Sequence, residues 1–122
     1  MLAAAKMVAF MFTADYERTR AFYVDKLGFE VVSHDQFALV LRCGETSMRV
    51  VKLPNFTPLQ ATVLGWQVSD IVSVVAWLKQ RGVAIEKYPF MNDAEVHTFP
   101  GGDKVAWFKD PDGNVLSVSQ HA

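Results

Sequence analysis

Two stretches of the chain carry the same order of apolar and polar positions. The first is the apolar run Met7 to Phe12, then Thr13-Ala14-Asp15, a charged stretch and Ala21-Phe22-Tyr23. The second is Thr62-Val63-Leu64-Gly65-Trp66-Gln67-Val68-Ser69-Asp70, then Ala76-Trp77-Leu78. A fixed offset pairs Val8 with Val63, Asp15 with Asp70, Ala21 with Ala76 and Phe22 with Trp77, and each half then reaches a glycine, Gly28 or Gly82. Such self-similarity points to a duplicated supersecondary unit. In each half an apolar strand ends at an Asp, whose carboxylate can accept the free first-turn N–H groups of a helix. Ile71, Val74, Val75 and Leu78 recur at helical spacing and predict a helix over 71–81. Tyr16, Thr19, Tyr23 and Leu27 form a weaker stripe and predict a helix over 16–27. The two glycines stand where a helix stops in a left-handed conformation.

Strand-like runs follow each helix: Phe29 to Ser33, Phe37 to Arg42 and Ser47 to Leu53, then Val83 to Tyr88, Lys104 to Lys109 and Val115 to Gln120. Turn chemistry separates them at His34-Asp35, Cys43-Gly44-Glu45 and Asp110-Pro111-Asp112-Gly113-Asn114. Each half therefore reads β-α-β-β-β. The expected organisation is one α+β domain over 1–122, with module one about 5–53, a Pro-containing linker 54–60 and module two about 61–121. Residues 90–103 are the least regular segment, and a long loop in a compact domain serves as a binding loop or as an ordinary surface excursion.

Composition narrows the function classes. The 122 residues are 51% hydrophobic and 20% charged, which supports one packed core and not a disordered chain. The net charge of -1 gives no positive face for phosphate backbones, so a nucleic-acid partner is not expected. One cysteine, Cys43, excludes an intrachain disulfide and zinc-finger spacing. The apolar run at Met7 to Phe12 is far shorter than the about 20 residues of a membrane span, and no secretory pattern precedes it. No membrane partner and a reducing, cytoplasmic setting are the expectation.

Two motifs carry a resemblance. Arg20-Ala21-Phe22-Tyr23-Val24-Asp25-Lys26-Leu27-Gly28-Phe29 resembles the first-helix signature of the vicinal oxygen chelate superfamily, which includes glyoxalase I, bleomycin-resistance proteins and extradiol dioxygenases. Phe108-Lys109-Asp110-Pro111-Asp112-Gly113-Asn114-Val115-Leu116 resembles its final hairpin. With Gly65-Trp66-Gln67-Val68-Ser69-Asp70 between them, the likeness spans nearly the whole chain. It implies two βαβββ modules forming a curved mixed sheet around a cleft, with helices on the outer face. Both motifs are structural, so they do not convert fold into activity. Metal-using members place His or Glu at four cleft-facing strand positions. Aligned on Asp15, Asp70 and the 110–114 turn, these positions fall at Val8, Met48, Val63 and Ser117. None is an imidazole or carboxylate, and a slip of one residue either way brings in no His, Asp or Glu. No metal and no cofactor are therefore expected.

The remaining candidates are few. His34 reads as a solvated turn residue. Glu95 and His97 share a face if their segment is extended, and could grip a ligand or act as acid and base. Ser117, Ser119 and His121 alternate, so they could line one side of the last strand, with Leu116 and Val118 on the helix side. Cys43 has no His arrangement to activate it and reads as inert. Phosphate-loop and nucleophile-elbow signatures are absent. Val8, Phe10 and Phe12 alternate on one face, as do Val63, Gly65 and Gln67, and Met48 and Val50 are expected to join them. That face reads either as a dry core or as a cleft for a ligand with a ring or alkyl part.

The expected ligand-binding set is Phe10, Phe12, Met48, Gln67, His97, Ser117 and His121. The expected function is metal-independent binding of a small, partly aromatic or apolar organic molecule. The resemblance implies sequestration by a homodimer, as in the bleomycin-resistance branch. The alternatives are a lyase, isomerase or dioxygenase, either metal-dependent or working by metal-free acid–base chemistry through Glu95, His97 or His121, and a ligand-free dimerisation module.

Overall fold

The structure, a computed structural model, describes all residues 1–122. It divides into two compact units, Met1–Thr57 and Pro58–Ala122.

In the first unit, β1 (Val8–Thr13) leads into a helical segment. Asp15 caps it, with the side chain accepting from the Glu17 N–H at 2.9 Å. The segment begins as α1 (Tyr16–Thr19) and continues as a π-helix, Arg20–Lys26. The wider winding changes the buried stripe from the one that α-helical spacing predicts: Thr19, Phe22 and Tyr23 are buried, whereas Tyr16 and Leu27 are only half-buried. Gly28, at φ 84°, ends the segment in the expected left-handed conformation. Then β2 (Glu30–His34), β3 (Leu39–Cys43) and β4 (Thr46–Lys52) complete a mixed sheet of order β1-β4-β3-β2, with β1 parallel to β4.

The pleat gives this sheet two unlike faces. Met11, Thr13, Leu39, Leu41, Met48 and Val50 form the buried one. Across the strands of the other run the rows Val8–Ser47–Arg42–Glu30 and Phe10–Arg49–Val40–Ser33, then Phe12 beside Val51. Val8, Phe10 and Phe12 stay 49%, 57% and 41% exposed there.

The second unit repeats the order. β5 (Thr62–Gln67) ends before Asp70, which accepts from the Ser73 N–H at 3.3 Å and the Ser73 hydroxyl at 2.7 Å. Helix α2 (Ile71–Gln80) buries Ile71, Val75 and Leu78, each contributing about 1.5–3 kcal/mol. Its sheet has the order β5-β8-β7-β6, with β5 parallel to β8 (Val115–Gln120) and β7 (Lys104–Lys109) antiparallel to β8. The fold is thus α+β, two modules each built on a four-stranded mixed sheet.

The third element of this module differs from expectation. Val83 to Tyr88 does not form a strand. It contributes one bridge, Ile85 to Phe108, and one hydrogen bond, from the Glu86 N–H to the Trp107 carbonyl at 2.8 Å. The chain then leaves the sheet through a 3-10 turn at Pro89–Met91, and left-handed Asn92 and Asp93 follow. It returns as β6 (His97–Thr98), which pairs with Val105 and Lys104. Pro89 has no N–H to give a ladder, and Met91 is buried and pins the excursion. The edge of β7 is therefore covered in two pieces, with residues 87–96 looping between them.

The 110–114 turn is closed from within. Asp110 Oδ1 accepts from the Asp112 and Asn114 N–H groups, both at 3.0 Å, and Oδ2 accepts from Asn114 Nδ2 at 2.9 Å. Asp110 and Asn114 are both buried. The motif therefore serves folding, as its turn chemistry suggests.

Candidate functional site

The open face of the second unit gathers most of the chain's unusual chemistry. Leu64, Trp66, Ala106, Phe108, Leu116 and Val118 take the helix side of the sheet, where Trp66 stacks on Phe108 at 6.1 Å. The opposite side presents the rows Gly65–Ser117–Trp107 and Gln67–Ser119–Val105–His97. A bulge between Thr62 and Leu64 takes Val63 out of the pairing and leaves it 43% exposed. Thr62, paired with Val115, accepts a hydrogen bond from Trp107 Nε1 at 3.1 Å.

The excursion 87–96 brings aromatic rings onto this face. Tyr88 and Phe90 lie near-parallel at 5.9 Å, and both meet Trp107 edge-on, at 5.6 and 5.8 Å. His97 packs edge-on between Phe90 at 4.9 Å and Phe99 at 4.6 Å. A depression of about 260 Å³ opens among Gln60, Thr62, Tyr88, Phe90, Trp107 and Val115. Apolar cavities of about 150 Å³ admit benzene, so this depression has room for a one- or two-ring group.

Four of the residues expected from the sequence share this unit and face: Gln67, His97, Ser117 and His121, whose Nε2 lies 3.4 Å from the Ser119 hydroxyl. Leu116 and Val118 are buried on the helix side, as the alternation predicts. Phe10 and Phe12 lie on the open face of the first unit. Met48 does not join them. It pairs with Ala9 and Leu41 on the buried face and is 2% exposed. The open-face residues of β4 are Ser47, Arg49 and Val51, because the pleat sets Met48 and Val50 opposite. Val50 is likewise buried.

Glu95 and His97 do not meet as an acid–base pair. The Glu95 carboxylate is bound to Lys79 of α2, at 2.9 Å and 3.1 Å, while His97 is enclosed by rings. His34 lies exposed and edge-on to Tyr16 at 4.8 Å, and Cys43 ends β3 at the hairpin turn.

Sequence reasoning missed Tyr88, Phe90, Trp107 and Arg49 as lining groups. Trp107 had a usable signal: it alternates with Ala106 and Phe108, both buried, so it has to face the other way. Phe90 had none, because its position depends on the break at Pro89.

A divalent metal needs several converging N or O donors. No three His, Cys, Asp or Glu side chains converge anywhere in the structure, and at Val8, Met48, Val63 and Ser117 no carboxylate or imidazole is present. With the β4 register corrected to Ser47 or Arg49, the mismatch stands. The residues do not fit the metal centre that the resemblance implies for metal-using members.

Two βαβββ modules, each built on a four-stranded mixed sheet, define the fold class. Residues 5–118 match the Glyoxalase/Bleomycin resistance protein/Dioxygenase superfamily, and the chain belongs to it. Among solved structures it is similar to TnmS3, an antibiotic binding protein from Streptomyces sp. CB03234, with 26% identity, coverage of 100% of this chain and 99% of that one, and a TM-score of 0.75. It is also similar to a bleomycin resistance determinant encoded on the transposon Tn5, with 22% identity, 97% and 98% coverage and a TM-score of 0.76. A superfamily member from Sphaerobacter thermophilus DSM 20745 gives 23%, 99% and 100%, and 0.77. A comparison with curated proteins finds no match.

Proposed function

We propose that the protein binds a small, partly aromatic or apolar organic molecule without a metal, seating a ring of that molecule against Trp107. The observation that carries this reading is the cluster Tyr88–Phe90–Trp107 beside an open depression of about 260 Å³. Phe90 is exposed and Tyr88 and Trp107 are half-buried, and aromatic rings packed on one another in this way suit ring stacking. Gln67, Ser117, Ser119 and His121 supply a polar border that can orient a ligand. The likeness to an antibiotic binding protein and to a bleomycin resistance determinant supports a binding protein. The absence of converging metal donors argues against the metal-dependent lyase or dioxygenase reaction.

The sheet edges also suit pairing of two copies as a homodimer. An unpaired Cys43 suits a reducing, cytoplasmic setting, and no helix is long and apolar enough to cross a membrane.

The test is a tryptophan-fluorescence titration with a panel of one- and two-ring compounds, with and without EDTA. The expected result is saturable quenching, unaffected by EDTA and lost in Trp107→Ala. Quenching that is retained in Trp107→Ala, or that needs added metal, refutes the reading.

A further inference from the structure

The open face of the first unit carries an anchor that the depression in the second unit lacks. Arg49 sits in β4 directly beside Phe10 of β1, and Val40 of β3 lies on its other side. Phe12 and Val51 form the next row, and Phe56 extends it, its ring 6.4 Å from Phe12. The two charged groups that flank the face at its edge neutralise each other: Arg42 Nη2 is 2.9 Å from Glu30 Oε1. Arg49 makes no ion pair. Asp35 feels its charge, but that carboxylate is already held by the Phe37 and Ala38 N–H groups, at 2.8 and 3.1 Å. A half-buried guanidinium beside exposed phenyl rings, with no carboxylate in contact, keeps its planar fork of N–H donors open to an external anion.

We propose that this face binds the anionic group of a flat, apolar organic molecule, with Arg49 as the anchor and Phe10 and Phe12 as the platform. The proposal rests on the reading that the chain binds an organic ligand, and it adds a ligand class: aromatic or polycyclic carboxylates, sulfonates or phosphates. Charge complementarity selects this occupant over a neutral one. The planar fork of Arg matches two oxygens of such a group, and the rings beside it accept the ligand's apolar body.

Two fluorescent probes test it on the full chain. One is the sulfonate 8-anilino-1-naphthalenesulfonate, and the other is its neutral counterpart N-phenyl-1-naphthylamine. The sulfonate should bind at least tenfold more tightly than the neutral probe. Arg49→Gln should remove that difference and leave the neutral probe within about twofold, while Arg49→Lys keeps part of it. Phe10→Ala should weaken both probes, and Arg42→Gln neither. Circular dichroism and urea midpoints establish that each variant is folded.

Equal affinity for the two probes in the parent protein, or no effect of Arg49→Gln, overturns the proposal. If both probes respond to Trp107→Ala but not to Phe10→Ala or Arg49→Gln, the small-molecule reading stands and the anionic site falls. If neither probe binds, both fall. If Arg49→Gln instead turns a dimer into a monomer by sedimentation with probe affinity unchanged, the anchor serves a carboxylate of a second copy, and the proposal is wrong.

Discussion

Gly65 and Ser117 face each other across the β5–β8 pair, and the contact between them sets a measurable coupling. A Cβ built on Gly65 comes within 2.8 Å of Ser117 Oγ and 3.5 Å of the Ser117 carbonyl oxygen. The first distance is about 0.7 Å inside ordinary van der Waals contact. The Gly65 backbone is not left-handed, so alanine is admissible there. The obstacle is one rotatable hydroxyl, and pushing it off its rotamer costs about 0.5–1.5 kcal/mol. Against this, replacing glycine in a strand interior recovers about 0.5–1 kcal/mol of backbone entropy. Gly65→Ala alone should therefore fall between a gain of about 0.5 and a loss of about 1 kcal/mol. In a Ser117→Ala background the obstacle is gone, and the same substitution should stabilise by about 0.5–1 kcal/mol. A double-mutant cycle by urea denaturation reads the difference as a coupling of about 1 kcal/mol. An equal effect of Gly65→Ala in both backgrounds would refute the contact, and with it the register that puts Gly65, Ser117 and Trp107 in one row. Gly65→Leu goes further. Its side chain should project over that row, so the fold survives while ring ligands lose at least tenfold in affinity.

Other outcomes follow from individual contacts. Trp107→Ala removes two ring contacts, each about 0.5–1.5 kcal/mol, and the bond to Thr62, so it should cost about 2–3 kcal/mol and about 10 °C in Tm by calorimetry. Asp110→Ala strips the acceptors from two backbone N–H groups and the Asn114 amide in a buried turn, and should lower the urea midpoint by an amount equal to about 2–4 kcal/mol without changing the slope. The Asp70 carboxyl is held below its ordinary 3.8 by the Ser73 hydroxyl and then the Ser73 N–H. Its stabilisation is thus present above pH 3.8 and is lost as the pH falls through the lowered folded value. Asp70→Asn should show a shallower acid limb in a Tm–pH profile below pH 4. Zn²⁺, Ni²⁺, Mn²⁺ and Fe²⁺ should give no specific Tm rise, although a native-state ligand at a hundredfold excess over Kd adds about 2.7 kcal/mol. Stoichiometric metal whose removal lowers Tm would refute the donor argument.

The features legible in the sequence are those that local chemistry fixes. Asp15 and Asp70 cap helices, Gly28 and Gly82 adopt φ 84° and 79°, and Asp110 closes a turn on its own neighbours. Each needs only residues close in the chain, so type and spacing suffice. The register of β4 was legible only in part. β1 is apolar on both faces, so its alternation does not say which face is buried, and the apolar character of Met48 and Val50 suggested the wrong side. The stronger cue was Arg49 between them, since an unpaired guanidinium has to face outward. The π-winding of Arg20–Lys26 was not legible, because tertiary packing overrides local propensity there, and Pro89 marks where a ladder stops but not the path that the chain takes after it.

That break is the point at which the two modules part company. Their strand orders are identical, β1-β4-β3-β2 and β5-β8-β7-β6, and both open faces keep apolar groups exposed. In the first module the third element is one five-residue strand, Glu30–His34, with a bulge between Val31 and Ser33, so its open face is furnished by strand side chains, Arg49 beside Phe10, with Phe56 added from the segment after β4. In the second, the corresponding edge is interrupted between Glu86 and His97, and the released segment lays Tyr88 and Phe90 against Trp107. The released segment adds Met91 to the buried core and sets Phe90 beside Trp107 on the open side. On the open faces the asymmetry leaves Arg49 beside Phe10 in one unit and the Tyr88–Phe90–Trp107 cluster in the other.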